Sequence, residues 1–281
     1  MLMAALILLS LTLIILLIWM VTRSRAAARR IESQKNKIAQ LEQLHEKSRN
    51  DNAALVSEKQ HLFSIVSHDL KGPFNRIFAL TQLIQSASDN LQPDQKEYLA
   101  KMHIMIADGL AMIRNLTDSQ KLEGKGIDFN PEAFNLSTLL GTLVKNYKIT
   151  AERKKVQLHI EMPPSMTVHT DRYSLNRILD NLLSNAVKFS GENKNIFVIA
   201  KDEGADVTID VRDEGPGISE EDQGRLYKKF QTITARPTAG ETNSGIGLYV
   251  AKNLADKLNV KLSCVSKMDG GTVFTLKISK Q

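Results

Sequence analysis

The first 22 residues of this 281-residue chain carry no charged side chain and are mostly Leu, Ile, Met and Ala. As a helix, residues 1 to 21 would reach roughly 30 Å, the thickness of a bilayer's hydrocarbon core. A cleaved signal peptide is the competing reading. It is disfavoured because no basic segment precedes the apolar run, which also exceeds the usual ~7–15 residues. Arg23, Arg25, Arg29 and Arg30 follow at once, which by the positive-inside rule places the C-terminal side in the cytoplasm. Trp19 falls where interfacial aromatics belong. The expectation is a single-pass helix over 1–22 in the cytoplasmic (inner) membrane, with no extracytoplasmic sensor ahead of it and the remainder of the chain in the cytoplasm.

Residues 26–60 are polar, charged and free of Pro and Gly. Ile31, Ile38, Leu41, Leu55 and Leu62 fit one heptad register, interrupted by Gln34, His45, Ser48, Asn52 and Lys59. That pattern predicts a loosely packed dimeric coiled-coil stalk over 23–60, with a single solvated helix as the alternative. A helical hairpin over 61–126 follows. Phe63, Val66, Leu70, Ile77 and Ile84 form one stripe, the Ser/Asp/Asn/Pro-containing segment Ser86–Asp94 forms the turn, and Leu99, Met102, Ile106, Gly109, Ile113 and Leu116 form the second stripe. Two helices alone cannot bury both faces, so pairing with a second copy into a four-helix bundle is expected.

From about Phe134 the pattern becomes mixed. Helices are predicted over 136–153 with Asn135 as N-cap, from Thr170 or Asp171 to about Lys188, and over 245–258. Strands are predicted over 156–162, 195–200, 207–212, 261–266 and 271–278. The stretch from Glu214 to Ser244 has no clear period and is too long for an ordinary connection, so it reads as a functional lid. The fold class expected is α+β and multi-domain, ending in an α/β sandwich over 133–281 with helices on one face of a mixed sheet.

The formal net charge of +6 is local, since six Lys/Arg lie between Arg23 and Lys37 with only Glu32 opposing them. No basic patch is interleaved with aromatics, and no nucleic-acid partner is expected. The single cysteine, Cys264, excludes an intrachain disulfide and a multi-cysteine metal site, and fits a reducing compartment.

Five constellations carry chemistry. Residues 63–73 read FSIVSHDLKGP. A neutral imidazole on an exposed helix can attack phosphorus if a neighbour fixes its tautomer and takes up the developing charge. Asp69 is placed to do that for His68, and Pro73 should kink the helix about one turn later. Next, Asn181 and Asn185 share a helix face, and their amide oxygens are hard ligands suited to Mg²⁺. Lys188 adds a point charge for phosphates. At the end of a strand, Asp213-Glu-Gly215-Pro-Gly217-Ile218 offers a carboxylate for an exocyclic amine and glycines that let backbone approach a flat base. Gly245-Ile-Gly247-Leu248 after Asn243 and Ser244 opens a helix, whose exposed amides and dipole favour phosphate. Phe230 lies between these last two. Taken singly, each has an ordinary structural reading as a surface pair, a solvated amide pair or a turn.

In this order the segments resemble the boxes of sensor histidine kinases. Residues 67–73 resemble the H-box pattern Ser-His-Glu/Asp-Leu-Arg/Lys-Thr/Asn-Pro, residues 181–190 the N-box, Asp213 to Gly217 the box whose aspartate reads adenine, Leu226 to Phe230 the F-box, and Gly245 to Leu248 the glycine-rich box. The resemblance covers roughly residues 60–280. It implies a dimerisation and phosphoacceptor domain followed by a Bergerat-type ATP-binding domain. ATP would be bound by Asn181, Asn185, Lys188, Asp213, Gly215, Gly217, Ile218, Phe230, Ser244, Gly245, Gly247 and Leu248, with Phe230 covering the nucleotide. It further implies Mg²⁺ on Asn185 with help from Asn181, autophosphorylation of His68, and transfer to an aspartate of a response regulator receiver domain. Two alternatives remain: a scaffold that binds ATP without transferring phosphate, and an ATPase of the wider gyrase and chaperone group. The second group uses Glu where this chain has Asn181 to activate water.

Two departures matter. Asn243 stands where the family usually has the first glycine of its lid motif, and Asn tolerates positive φ better than most residues. Gly72 lies four residues after His68, where relatives carry a Thr or Asn that orients water on the partner's phosphoaspartate. Kinase activity with weak or absent phosphatase activity is the expectation.

Overall fold

A computed structural model describes residues 2–87, 91–123, 128–238, 241 and 243–280, with the backbone alone at 2–12, 15, 26–28, 31 and 87. The chain divides into two compact units, 1–59 and 60–281.

The first unit is helical throughout and belongs to α1 (Leu2–Ala87), which continues through Pro73 in the second unit. The side chains of most of the apolar run at 1–22 and of Ile31 lie outside the described residues. Among the described residues no helix is long and apolar enough to cross a membrane. From Leu13 to Val21 the described apolar side chains all face outward, and the Arg23 guanidinium sits 4.8 Å over the Trp19 ring. Ile38, Leu41 and Leu55 of the heptad stripe are likewise exposed.

In the second unit α1 pairs with α2 (Pro93–Glu123). The turn expected at Ser86–Asp94 falls there, although residues 88–90 lie outside the described set, as do 124–127, where the hairpin was expected to end. Leu99, Ile106 and Ile113 of the second stripe are buried. Val66, Leu70, Ile77 and Ile84 of the first stripe remain exposed in the single chain, together with Leu62, Leu80 and Leu83.

The α/β part begins with β1 (Pro131–Asn135) and α3 (Leu136–Arg153). The Asn135 side chain accepts from Thr138 N–H at 3.2 Å, satisfying one of the four free amides at a helix start. There follow β2 (Gln157–Glu161), β3 (Thr167–Asp171) and α4 (Arg172–Phe189), the last capped by Asp171 accepting from Ser174 N–H at 2.7 Å. Then come β4 (Asn195–Asp202), β5 (Asp206–Asp213), α5 (Glu220–Gln223), α6 (Gly247–Lys257), β6 (Lys261–Lys267) and β7 (Gly271–Ser279). The main sheet has the order β2-β4-β5-β7-β6, parallel only between β2 and β4. One face packs on α3, α4 and α6 through Leu140, Leu175, Ile178, Leu182, Ile196, Ile209, Val250 and Leu276, all almost fully buried.

The expected strands and helices of the α/β part are present, and three elements are additional. β1 and β3 form a separate antiparallel pair, Pro131 opposite Asp171 and Asn135 opposite Thr167. Within the stretch read as a lid, α5 forms a short turn capped by Ser219.

Candidate functional site

Asp213 ends β5, where strand pairing to Thr272 of β7 fixes its backbone. Its carboxylate is buried, and burial pushes its pKa up to about 6 against the partial opposition of N–H donors on Gly215 and Thr272. The Gly215 N–H donates to Asp213 Oδ1 at 2.9 Å. The turn after it needs Gly217, whose φ is +73° and whose added Cβ would lie 1.9 Å from Lys267 O. The Ile218 N–H is tied to Ser266 Oγ at 2.9 Å, which anchors the turn to β6. Together these surround an apolar slot of about 30 Å³ lined by Asn185, Phe189, Asp213, Gly217, Ile218 and Leu248, with Ile233 and Ala235 entering from the lid. A flat heterocycle is larger than this slot, so Ile233 and Ala235 would have to draw back to admit it; it would then meet the Asp213 carboxylate, the Asn185 amide and Thr272 among otherwise apolar walls.

Asn185 also borders a larger cavity of about 650 Å³. Asn181, Lys188, Ser244 and Gly247 line this cavity from the α/β part, and Asp108, Arg114 and Asn115 from α2. Asn181 is buried, and its Nδ2 has no hydrogen-bond partner. An orphaned buried donor at a helix N-terminus is suited to an anion. Its amide oxygen lies 3.1 Å from where a Cβ on Gly247 would sit, so any larger residue there would press on Asn181. Gly245 supplies the turn, with φ of +64° and its carbonyl accepting from Phe230 N–H at 3.1 Å. The Asn243 Oδ1 accepts from Gly245 N–H at 3.3 Å, so its side chain bonds to the turn.

The slot and the cavity therefore gather Asn181, Asn185, Lys188, Asp213, Gly217, Ile218, Ser244, Gly247 and Leu248, with Gly215 and Gly245 shaping the walls. Phe230 is set apart: its ring is 63% exposed, lines neither space, and sits beside the Lys229 ammonium at 5.1 Å. His68 is also elsewhere, on α1, with a side chain 90% exposed. Its Nδ1 lies 3.2 Å from Asp69 Oδ1. A carboxylate only accepts, so this contact selects the tautomer with the proton on Nδ1 and leaves the Nε2 lone pair outward.

Several participants carry no motif signal. Lys154, the C-cap of α3, donates to Glu241 Oε1 at 2.9 Å and to the carbonyls of Val187 and Lys188. Thr238 reaches the same end of α4 through its N–H to Lys188 O and its hydroxyl to Ser190 O. Asp222 accepts from Thr234 N–H at 3.0 Å, which lowers its pKa. Arg177 of α4 donates to Asp118 at 2.9 Å, Asn115 at 2.8 Å and Asp180 at 2.9 Å, joining the α/β part to α2. Apart from the Arg177–Asp180 contact within α4, these pairings join separate segments and are invisible to local spacing.

Comparison with known proteins agrees with this arrangement. Residues 58–125 match the family described as His Kinase A (phospho-acceptor) domain, and residues 170–281 match Histidine kinase-, DNA gyrase B-, and HSP90-like ATPase. The chain is 30% identical over 232 residues to the aerobic respiration control sensor protein ArcB homolog of Haemophilus influenzae, covering 81% of this chain and 67% of that protein. Of some other curated relatives it spans only 45% or 25% of their length. Full-length ShkA in complex with AMPPNP has the same fold, with TM-score 0.58, 20% identity, and coverage of 79% of this chain and 46% of that one. So does histidine kinase ThkA in complex with the response regulator protein TrrA, with TM-score 0.52, 20% identity, and coverage of 79% and 61%. The chain belongs to the two-component sensor histidine kinases.

Proposed function

We propose that this chain binds ATP in the slot and cavity joined at Asn185 and transfers the γ-phosphoryl group to His68. The observation that carries this reading is Asp213, a buried carboxylate at the floor of an apolar slot. It is built to accept from the amino group of adenine. Asn181 Nδ2 and the N-terminus of α6 meet the triphosphate. The amide oxygen of Asn185 fits Mg²⁺, with Asn181 alongside, and the ion would supply charge neutralisation for the phosphates. Ser244 and Lys188 complete the anionic end, and Phe230 would have to turn inward to cover the nucleotide.

In the transfer, His68 Nε2 forms the bond to the γ-phosphorus as the bond to the ADP oxygen breaks. The proton stays on Nδ1, held by Asp69, which balances the charge gained by the ring. The phosphoryl group then passes to an aspartate on a response regulator receiver domain, a partner class supported by the ThkA–TrrA complex. The exposed apolar stripe of α1 supports a homodimeric four-helix bundle. The outward-facing apolar residues between Leu13 and Val21, with Trp19 and Arg23 stacked at their end, support a single span in the inner membrane over 1–22. The proposed divisions are 1–22 membrane helix, 23–60 stalk, 61–126 phosphoacceptor domain and 133–281 ATP-binding domain.

The test is incubation of the purified chain with γ-labelled ATP. Acid-labile, base-stable label that disappears in His68→Gln is expected. Tight nucleotide binding with no label would instead make the chain an ATP-binding scaffold.

A further inference from the structure

Lys188 of α4 lies in the segment that resembles the N-box, yet its ammonium is already engaged by the hairpin. Lys188 Nζ lies 2.8 Å from Asp108 Oδ1 on α2, and both side chains are largely buried. Both residues line the large cavity that also holds Asn181, Asn185 and Gly247. Asp108 belongs to no motif and sits in the other domain. A triphosphate entering that cavity brings several negative oxygens to within reach of the same ammonium. Two anions cannot both have full use of one point charge, and a carboxylate left beside a phosphate is repelled by it.

We propose that Asp108 is a positioning residue that competes with the nucleotide's phosphates for Lys188, so that ATP binding and docking of the ATP-binding domain on α2 oppose one another. This rests on the reading of the cavity as the triphosphate site. The contact is an ion pair between domains, and the repulsion acts only on ligands that reach Lys188. It therefore penalises ATP over AMP, whose single phosphate stays near the base and sugar. Because coupling between two binding events is reciprocal, ATP loosens the grip on α2 by the same factor by which that grip weakens ATP. Arg177, bound to Asp118 and Asn115 at 2.8–2.9 Å, holds the same interface by contacts that do not involve Lys188. Release of Lys188 alone would thus weaken docking without abolishing it.

The test uses the full chain in detergent or nanodiscs, with ATP and AMP affinities measured by calorimetry for four proteins: the natural chain, Asp108→Asn, Lys188→Met, and the double variant. Asp108→Asn is expected to bind ATP roughly fivefold more tightly or better, the lower end of the range for coupled sites, with AMP unchanged. In the Lys188→Met background the same replacement is expected to do nothing. Unchanged or weaker ATP binding in Asp108→Asn overturns the proposal. So does equal tightening of AMP, which would mean a general opening of the cleft, or persistence of the effect without Lys188. AMP binding also reports that each variant is folded. A natural chain that binds neither nucleotide overturns the ATP reading itself, an outcome distinct from ATP binding that is indifferent to Asp108.

Discussion

Lys154 and Glu241 are 87 positions apart and form an ion pair of 2.9 Å in which both side chains are almost out of water. The same ammonium donates to the last carbonyls of α4 at Val187 and Lys188, so one lysine caps a helix and holds the lid. Thr238 adds two bonds at the same place. The segment between Ile233 and Thr238 alternates half-buried and exposed, with Ile233 and Ala235 turned into the base slot. It is therefore strapped at its far end and plugged at its near end.

Glu241→Gln should loosen that strap while leaving Lys154 bonded to α4. Nucleotide release, followed as fluorescence decay of a labelled ADP chased with unlabelled ADP, is expected to accelerate several-fold. Hydrogen exchange over 231–238 should rise in parallel. Release at the natural rate would show that the ion pair does not govern the lid.

Asp213 makes nucleotide binding and stability depend on pH in opposite senses. Its native pKa is raised from 3.8 to about 6 by burial. Between those values the unfolded chain loses its proton first, so the native state binds more protons and stability falls as pH rises. Below about 3.8 the penalty is absent, and above about 6 it is complete, on the order of 3 kcal/mol at most. Asp213→Asn should therefore stabilise the nucleotide-free protein at pH 8 and have little effect at pH 4, as read by denaturant unfolding of the ATP-binding domain. Adenine recognition needs the ionised carboxylate as acceptor. In the natural protein, ATP affinity should climb as pH passes upward through about 6, and Asp213→Asn should lose both the affinity and the step.

Much of the α/β domain could be read locally because its helices announce their own ends. Asn135 and Asp171 are N-caps whose partners lie three residues on. β1 and β3 were not legible, since PEAFN and TVHTD lack a sustained apolar alternation and exist as strands because each pairs with the other. Thr170, expected near a helix start, is the penultimate residue of β3, with Asp171 taking the cap. The site's motif residues were legible because their chemistry is concentrated in short runs. Lys154, Thr238, Asp108 and Arg177 were not, since their roles depend on partners brought from 48 to 87 residues away. Phe230 shows the converse: its place in the motif pointed to the nucleotide, while its left-handed backbone, φ of +60°, and the Gly245 carbonyl direct its ring outward.

Arg177 and Asp118 should report on docking between the two domains. Both are buried, at 6% and 5% exposure, and the guanidinium is also held by Asn115 and Asp180. Removing one member of such a pair typically costs about 3–5 kcal/mol when the other charge must stay buried. Here the interface can open instead, which caps the cost at the docking free energy. Asp118→Asn is expected to leave the melting of the ATP-binding domain nearly unchanged but to raise hydrogen exchange along α2 from Ile113 to Leu122. A large loss of stability in that domain itself would mean that Arg177 is needed for its fold.

Gly72 lies on the same helix as His68, one turn beyond it, with nothing within 3.7 Å of an added Cβ except the Arg76 guanidinium. Pro73 follows directly, and a proline disfavours helical backbone for any preceding residue with a Cβ, so glycine also eases this turn of the helix. We propose that, without a hydroxyl or amide at this position, the chain orients hydrolytic water poorly on a regulator's phosphoaspartate. Gly72→Asn is expected to accelerate dephosphorylation of the cognate regulator in the presence of ADP, while the natural chain does so weakly. For Gly72→Ala a helix-propensity gain of up to about 1 kcal/mol is opposed by contact of the new Cβ with Pro73, so little net change in hairpin stability is expected. Gly72→Ala thus serves as the control, since it adds a Cβ without offering a donor or acceptor to water. Rapid dephosphorylation by the natural protein, or equal gains from Ala and Asn, would assign the phosphatase chemistry to residues other than the one at position 72.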